Sequence, residues 1–412
     1  MRTSLDRSLL VTLALLCGYG LAMVYSAGQT DVPSFAERAW VRQIGWMVVA
    51  SVAAAVAFRV SFRLLEWAAP LLYGLGLVLL LVVLVVGTGA GTAASSKSWL
   101  TIGGVRIGQP VELAKLGTIL LLARYLSSLR QAPATLRDLV RPGLIAGAPF
   151  LLVMAQPDLG SAIVFVGILF AMLFWSGVKP SLLLLLASPM ISLLLAVDTG
   201  WWGAWILLLT LLLLIWRTYV TEGVFIWIVN SAMGVLAIVL WNRLKPYQQQ
   251  RLVSFLNPEA DPAHSGYQAI QSKVAIGSGG WLGNGWLHGP QKRLAFLPEQ
   301  PTDFIFSVVG EELGFVGVLV ALALFFALFL ILLRVARRAT DTFSSLVVFG
   351  ILGLLFTHVF ENVGMTINLM PITGIPLPFF SYGGSFVLSC GIAMGLVLRV
   401  AYDSRSSGYV EQ

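Results

Sequence analysis

The sequence predicts an all-α fold, a polytopic integral membrane bundle of about twelve transmembrane helices. Three observations carry that prediction. Hydrophobic residues make up 58% of the 412-residue chain and charged residues only 11%, against about 25% charged in a soluble domain. Apolar runs recur along the whole chain, and a span needs about 20 mostly apolar residues. Lys and Arg gather in alternate connections, as they do in the cytoplasmic loops of membrane proteins. The net charge of +7 therefore reads as topology, with no nucleic-acid partner implied.

In chain order the runs lie near 8–27, 43–60, 66–87, 111–127, 142–156, 159–177, 181–198, 203–216, 223–241, 311–333, 343–362 and 385–401. The first exceeds the ~7–15-residue apolar core of a signal peptide and reads as a helix. The pair 142–156 and 159–177 reads as a tight hairpin turning at Gln156-Pro157-Asp158. The run 203–216 is short, as a partial or tilted helix would be. Arg2, Arg7, Arg59, Arg63, Arg124, Arg130, Arg137, Arg141, Lys179, Arg217, Arg334, Arg337, Arg338, Arg399 and Arg405 fall on one side. The connections 156–159, 199–202 and 363–384 carry neither Lys nor Arg. Both termini therefore read as cytoplasmic, and 88–110, 242–303 and 363–384 as outer loops. Residues 1–412 form one polytopic domain with 242–303 as its large extracytoplasmic loop.

Cys17 and Cys390 both sit inside apolar runs and suggest no disulfide framework. His264, His288 and His358 are too scattered for a zinc site. The outer loops are rich in Gly, Pro, Trp and Ser. The run Gly277-Ser278-Gly279-Gly280-Trp281-Leu282-Gly283-Asn284-Gly285 can make tight turns or bring backbone N–H groups close to a ligand.

Three polar groups of residues converge on the outer side. Trp99 precedes Gln109-Pro110-Val111-Glu112-Leu113-Ala114-Lys115, where Glu112 and Lys115 share a helix face and can pair. They form either an internal salt bridge or an ionic site facing a polar cavity. In Gln156-Pro157-Asp158-Leu159-Gly160-Ser161, Asp158 reads first as the cap of the following helix. The third group runs through Glu299, Thr302 and Asp303 to Glu311 and Glu312. Charge is expensive inside a bilayer, so carboxylates beside a span line cavities or do chemistry. Asp303 is either an N-cap or a catalyst. Glu311 and Glu312 are adjacent and cannot face one partner; one is expected to pair with a cation while the other reaches the interface.

These segments, in this order, resemble the SEDS proteins, the shape, elongation, division and sporulation group of peptidoglycan glycosyltransferases. The resemblance rests on Ser98-Trp99-Leu100, the two motifs around Glu112 and Asp158, and a long match from Arg251 to Gly317. That match includes Gly266-Tyr267-Gln268, Gln271-Ser272-Lys273, Leu297-Pro298-Glu299 and Asp303-Phe304-Ile305-Phe306. The signature Pro371-Ile372-Thr373-Gly374-Ile375-Pro376-Leu377-Pro378-Phe379-Phe380-Ser381-Tyr382-Gly383-Gly384-Ser385 completes it. Asn257-Pro258-Glu259-Ala260-Asp261-Pro262 and the segment 285–291 look like the RodA branch. Val111, Asn284 and Pro301 depart from the family's usual Ser, Lys and His. The family is described with ten spans, so 181–241 reads as an inserted helix pair, which preserves the topology of every later loop.

The resemblance implies an enzyme of the bacterial inner membrane, active on its periplasmic side in cell elongation and rod-shape maintenance. It implies polymerisation of lipid II, with Asp303 as general base and inversion at the donor's anomeric carbon. Trp99, Glu112, Lys115, Arg251, Lys273, Glu299, Thr302, Ser381 and Ser385 are the substrate-binding candidates, with Lys115, Arg251 and Lys273 to meet the leaving pyrophosphate. A divalent cation beside the pyrophosphate is compatible with this reading, but no dedicated ligand set is visible. The implied partners are a class B penicillin-binding transpeptidase, other elongation-complex membrane proteins and membrane lipids. A lipid II flippase and a scaffold that activates a partner synthase are the alternatives. A flippase needs a charged path across the midplane, whereas the unusual residues cluster at one face.

Overall fold

A computed structural model gives the fold and describes residues 6–31, 35–89, 98–102, 105–216, 220–243, 249 and 266–407. Its helices are α1 (Arg7–Gly28), α2 (Ala39–Arg59), α3 (Phe62–Val86), α4 (Pro110–Ser127), α5 (Val140–Ala155), α6 (Leu159–Trp175) and α7 (Pro180–Leu195). They continue with α8 (Thr199–Trp216), α9 (Val220–Arg243), α10 (Tyr267–Ser278), the short α11 (Pro290–Arg293), α12 (Ile305–Arg337), α13 (Thr342–Thr366) and α14 (Gly384–Ser407). Each of the twelve apolar runs falls on one of these helices. Among the described residues, a small antiparallel hairpin, β1 (Leu100–Ile102) with β2 (Val105–Gly108), is the one addition to the all-helical expectation.

Local chemistry sets several helix starts. Asp6, Ser61, Asp158 and Asp341 each accept a backbone N–H from the first turn of the helix they precede, satisfying one of the free donors there. Pro110, Pro180 and Pro290 occupy first-turn positions, where the missing N–H costs nothing. Among the described residues, eight helices are long and apolar enough to cross a membrane, and α5, α6 and α7 are shorter apolar helices. The run expected to be short becomes the 18-residue α8, about 27 Å long at 1.5 Å per residue. The remaining predicted span, α4, carries Glu112, Lys115 and Arg124 yet is buried along most of its length. It lies against α3, α13, α5 and α6, with α13 equally central. The chain is thus a multi-pass membrane protein whose interior is built around two polar-bearing helices.

Helices α7, α8 and α9 have a core of their own, made by Leu185, Trp205, Leu209 and Ile226. Asn230 staples it, donating to Ser188 Oγ at 2.9 Å and accepting from Trp205 Nε1 at 3.2 Å. Every polar group in that staple is spoken for, so it fixes packing rather than inviting a ligand.

The two ends of the bundle are distinct. Arg405 pairs with Asp6 at 2.6 Å, so α1 begins and α14 finishes at the same end. At the other end of α1, Ser26 donates to Glu312 in the second turn of α12. Asp303, just ahead of α12, therefore lies at the end distal to both termini. Arg334, Arg337 and Arg338 close α12 at the proximal end.

Candidate active site

Asp303 is presented by a tight turn. Glu299 adopts a left-handed backbone, φ 54°, which aims its carbonyl at the N–H groups that follow. That one oxygen accepts from the backbone of Thr302 at 3.2 Å, Asp303 at 3.1 Å and Phe304 at 3.3 Å, and from the Thr302 hydroxyl at 3.1 Å. Helix α12 begins at Ile305 with no side-chain cap. The carboxylate of Asp303 is thus free of the capping role that its position allows. It is half-buried, and burial first, then the Glu299 carboxylate, push it up to about 7; the Thr302 hydroxyl pulls it down and Asp158 adds to the rise.

The C-terminal signature grips this turn from outside. Asn362, on α13, donates to the carbonyls of Asp303 and Ile375. Ser381 donates its hydroxyl to the Thr302 carbonyl and accepts from Leu377 N at 2.8 Å. Tyr382 N donates to the Pro301 carbonyl at 2.8 Å. Gln43, from α2, donates to the Ser381 carbonyl at 3.1 Å. Gly374 lies against the carboxylate itself: a Cβ there would stand 3.1 Å from Asp303 Oδ2.

A second polar cluster lies deeper. Lys115 pairs with Glu112 at 2.7 Å, as their spacing predicts. It also meets His358 Nε2 at 3.1 Å, while His358 Nδ1 faces the Pro376 carbonyl at 3.2 Å. A carbonyl only accepts, so Nδ1 carries the proton and Nε2 accepts from Lys115. One turn along α13, Glu361 is fully buried beside Thr373, and among the described residues neither of its carboxylate oxygens meets a hydrogen-bond partner in good geometry; nor does Glu112 Oε2. Lys115 and Asp158 are the charged groups near Glu361. Glu361 was overlooked in the sequence, although a charge inside the apolar run 343–362 is a readable signal. Its placement in the same buried region as Lys115, 246 positions away, was not readable.

The other candidates separate. Thr302 and Glu299 belong to the Asp303 turn, and Ser381 holds it. Trp99 pairs its backbone with Thr88 at the base of the β-hairpin. Gly108, paired with Leu100 at that same open end of the hairpin, faces Ser385 of the C-terminal signature. Lys273 is exposed on α10, while its buried neighbour Ser272 bonds Ser307 and the Thr366 carbonyl. Arg251 and the segment 257–262 lie outside the described residues. Asp158 caps α6, accepting from Ser161 N at 3.1 Å. Lys115 is committed to Glu112 and His358 rather than free to meet an anion at the surface.

The expectation for Glu311 and Glu312 needs correction. Glu312 does pair with a cation, Lys292, at 2.8 Å. Glu311 does not reach the interface; it is buried and accepts from Gln291 N at 2.6 Å and Lys292 N at 3.2 Å. The reason is a break in α12 at Gly314, φ 62°. The glycine-rich run docks there, with Asn284 N and Gly285 N donating to the carbonyls of Glu311 and Glu312. A Cβ on Gly283 would overlap the Glu312 carbonyl oxygen, so close backbone approach explains that glycine. Among the described residues, no three His, Cys, Asp or Glu side chains are grouped as a metal site requires.

The family model described as "Cell cycle protein", for FtsW, RodA and SpoVE, matches residues 7–199 and 182–406. The chain is 34% identical to the peptidoglycan glycosyltransferase RodA of Treponema pallidum, over 96% of this chain and 97% of that protein. It is 35% identical to the peptidoglycan glycosyltransferase MrdB of Escherichia coli K12, over 97% and 94% respectively. Among solved structures, a chain of a peptidoglycan synthase complex that coordinates polymerization and crosslinking matches with a TM-score of 0.73 and 29% identity. The match covers 97% of this chain and 98% of that one. The rod shape determining protein RodA of Thermus thermophilus matches with a TM-score of 0.62 and 27% identity, over 97% of each chain.

Proposed function

The chain belongs to the FtsW, RodA and SpoVE family of cell cycle proteins and is a peptidoglycan glycosyltransferase, and on that premise we propose that it polymerises lipid II with Asp303 as general base. The acceptor's 4-hydroxyl attacks the anomeric carbon of the donor sugar, and the polyprenyl pyrophosphate leaves. A sugar hydroxyl is a poor nucleophile at neutral pH, and a carboxylate that takes its proton during attack typically contributes ~10²–10⁴-fold. One base and one displacement invert the anomeric centre, by the same logic as inverting glycosidases.

The observation that carries this reading is the state of Asp303. It is half-buried, caps no helix, and is held near 7 by burial and Glu299, close to the pH at which a general base works best. It lies distal to both termini. With the termini cytoplasmic, as the Lys and Arg distribution favours, the site opens on the periplasmic face, where Thr302, Glu299 and Ser381 border it and Ser385 remains a candidate beside the hairpin. Glu112 and Lys115 support it from below, and Trp99, Lys273 and Arg251 remain candidates for the substrate's outer portions. A class B penicillin-binding transpeptidase is the proposed partner, in keeping with the synthase complex that the fold resembles.

The buried charges argue against a flippase. Glu112 and Lys115 lie two and five residues from the start of α4, and Glu361 lies five from the end of α13. At 1.5 Å per residue all three stand within about 8 Å of the distal end, leaving no charged path across the midplane among the described residues. The test is polymerisation of labelled lipid II in vesicles by the full chain, with and without a transpeptidase. Loss of glycan chains in Asp303→Asn, with folding intact, is expected; glycan chains at the wild-type rate would remove Asp303 from the mechanism.

A further inference from the structure

Eleven residues before Asp303, Lys292 sits on α11 with its whole side chain buried. Its ammonium holds Glu312 at 2.8 Å and Ser26 Oγ at 3.2 Å. Ser26 closes the triangle by donating to both Glu312 oxygens, at 2.7 and 2.6 Å. The triangle ties three separate pieces together: the distal end of α1, the four-residue α11, and the last turn of α12 before its break at Gly314. The backbone of Lys292 does a second job. Its carbonyl accepts from Gln300 Nε2 at 3.3 Å and from Ala295 N at 3.0 Å, and Gln300 is buried beside Glu299, the residue whose carbonyl closes the Asp303 turn.

Four residues cannot hold a helix by themselves. Helix α11 exists because Glu311 caps its N–H groups and Lys292 anchors it to Glu312. Neither Lys292 nor Glu312 touches Asp303. Yet between α11 and α12 the chain runs only through 294–304, with left-handed backbone at Ala295 and Glu299. Such a segment keeps its shape only where its surroundings over-determine it. Both of its ends are clamped by the same ion pair, since Glu312 lies in the first part of α12.

Resting on the general-base reading above, we propose that Lys292 is a positioning residue for the polymerisation reaction, acting through Glu312 and Gln300 to hold the Asp303 turn in its productive shape. The groups that face the Asp303 carboxylate are Glu299 on its own loop and Asp158 at the start of α6. Loosening the turn admits water and moves Asp303 away from Glu299. Both changes lower the pH at which it ionises, and a purely structural defect elsewhere does not do this.

The experiment uses the full chain in lipid vesicles with fluorescent lipid II, alone and with a transpeptidase. It compares wild type, Lys292→Met, Gln300→Ala, the charge-reversed pair Lys292→Glu with Glu312→Lys, and Asp303→Asn. Lys292→Met is expected to lower kcat at least tenfold with KM within about twofold. The low-pH limb of its activity profile should shift to lower pH. Gln300→Ala, which leaves the ion pair intact, should move the profile in the same direction. The charge-reversed pair should recover most of the melting temperature and of kcat. Wild-type kcat in Lys292→Met, or a loss that follows the unfolded fraction with an unmoved pH limb in both single variants, overturns the proposal. An active Asp303→Asn overturns the base assignment and, with it, any role exercised through Asp303. An inactive Asp303→Asn beside a fully active Lys292→Met overturns the Lys292 proposal alone.

Discussion

The side-chain amide of Asn362 donates to two carbonyls, those of Asp303 and Ile375, each at 2.8 Å. One side chain on α13 thereby fixes the turn that carries the proposed base against the loop that carries the C-terminal signature. Asn362→Leu leaves both carbonyls unpaired, and a buried acceptor without its donor costs about 1–3 kcal/mol. We expect kcat to fall by about 10–100-fold, with the protein still inserted and monodisperse. Initial rates of lipid II polymerisation, read beside a melting curve, check this.

The pH profile follows from the raised carboxyl of Asp303. A base must be ionised, and burial with Glu299 puts its titration at about 7. Activity should rise about tenfold per pH unit below that point and level off above it. The stability sign is the opposite. A carboxyl whose folded-state value is raised favours the fold while it is protonated, and that contribution is lost as pH rises from the ordinary carboxylate range through about 7. Asp303→Asn should therefore melt above wild type at pH 8, with the gap narrowing toward pH 5. Its kcat should fall by ~10²–10⁴. Scanning calorimetry at the two pH values separates the two effects.

Lys115 and Glu112 are read from spacing as either a brace or an ionic site, and the buried pair with His358 allows a decision. Removing one member of a buried pair typically costs 3–5 kcal/mol, whereas replacing both with apolar residues is often neutral. Glu112→Gln and Lys115→Met should each melt well below wild type. The double variant Glu112→Met with Lys115→Met should recover most of that stability. If the pair is only a brace, activity returns with the fold. We expect at least a tenfold deficit in kcat to persist, because the site loses its cation. Melting and turnover measured on the same preparations decide between them.

Much of this was legible because membrane chains report their architecture in apolar runs. All twelve helices predicted from those runs exist, and Asp303 stood out as a charge at the mouth of one. The Glu112–Lys115 pair was legible because three residues on a helix are neighbours. Lys292 was not, since its partner Glu312 is brought to it by a break at Gly314 that no periodicity announces. His358 looked isolated because its partner Lys115 is 243 positions away. The cap at Asp303 was equally favoured by sequence and is absent, because the turn closed by Glu299 delays the start of α12 to Ile305. Apart from the local turn at Glu299 and the overlooked charge of Glu361, what escaped prediction is long-range: contacts between segments that only the packed bundle makes adjacent.

Gly374 offers the most local test of the site. It has φ 72°, in the left-handed region, and a Cβ there would lie 3.1 Å from Asp303 Oδ2. Alanine pays a backbone penalty of roughly 1–2 kcal/mol in that region, and its methyl group also presses on the carboxylate. The two effects fall on different observables. Backbone strain lowers the melting temperature whatever the state of Asp303, whereas crowding of the carboxylate appears only in turnover. Gly374→Ala should therefore melt a few degrees low and lose at least tenfold in kcat. In an Asp303→Asn background it should lower the melting temperature similarly while leaving the residual rate unchanged. A rate loss of equal size in both backgrounds would mean that Gly374 acts on something other than the carboxylate it touches.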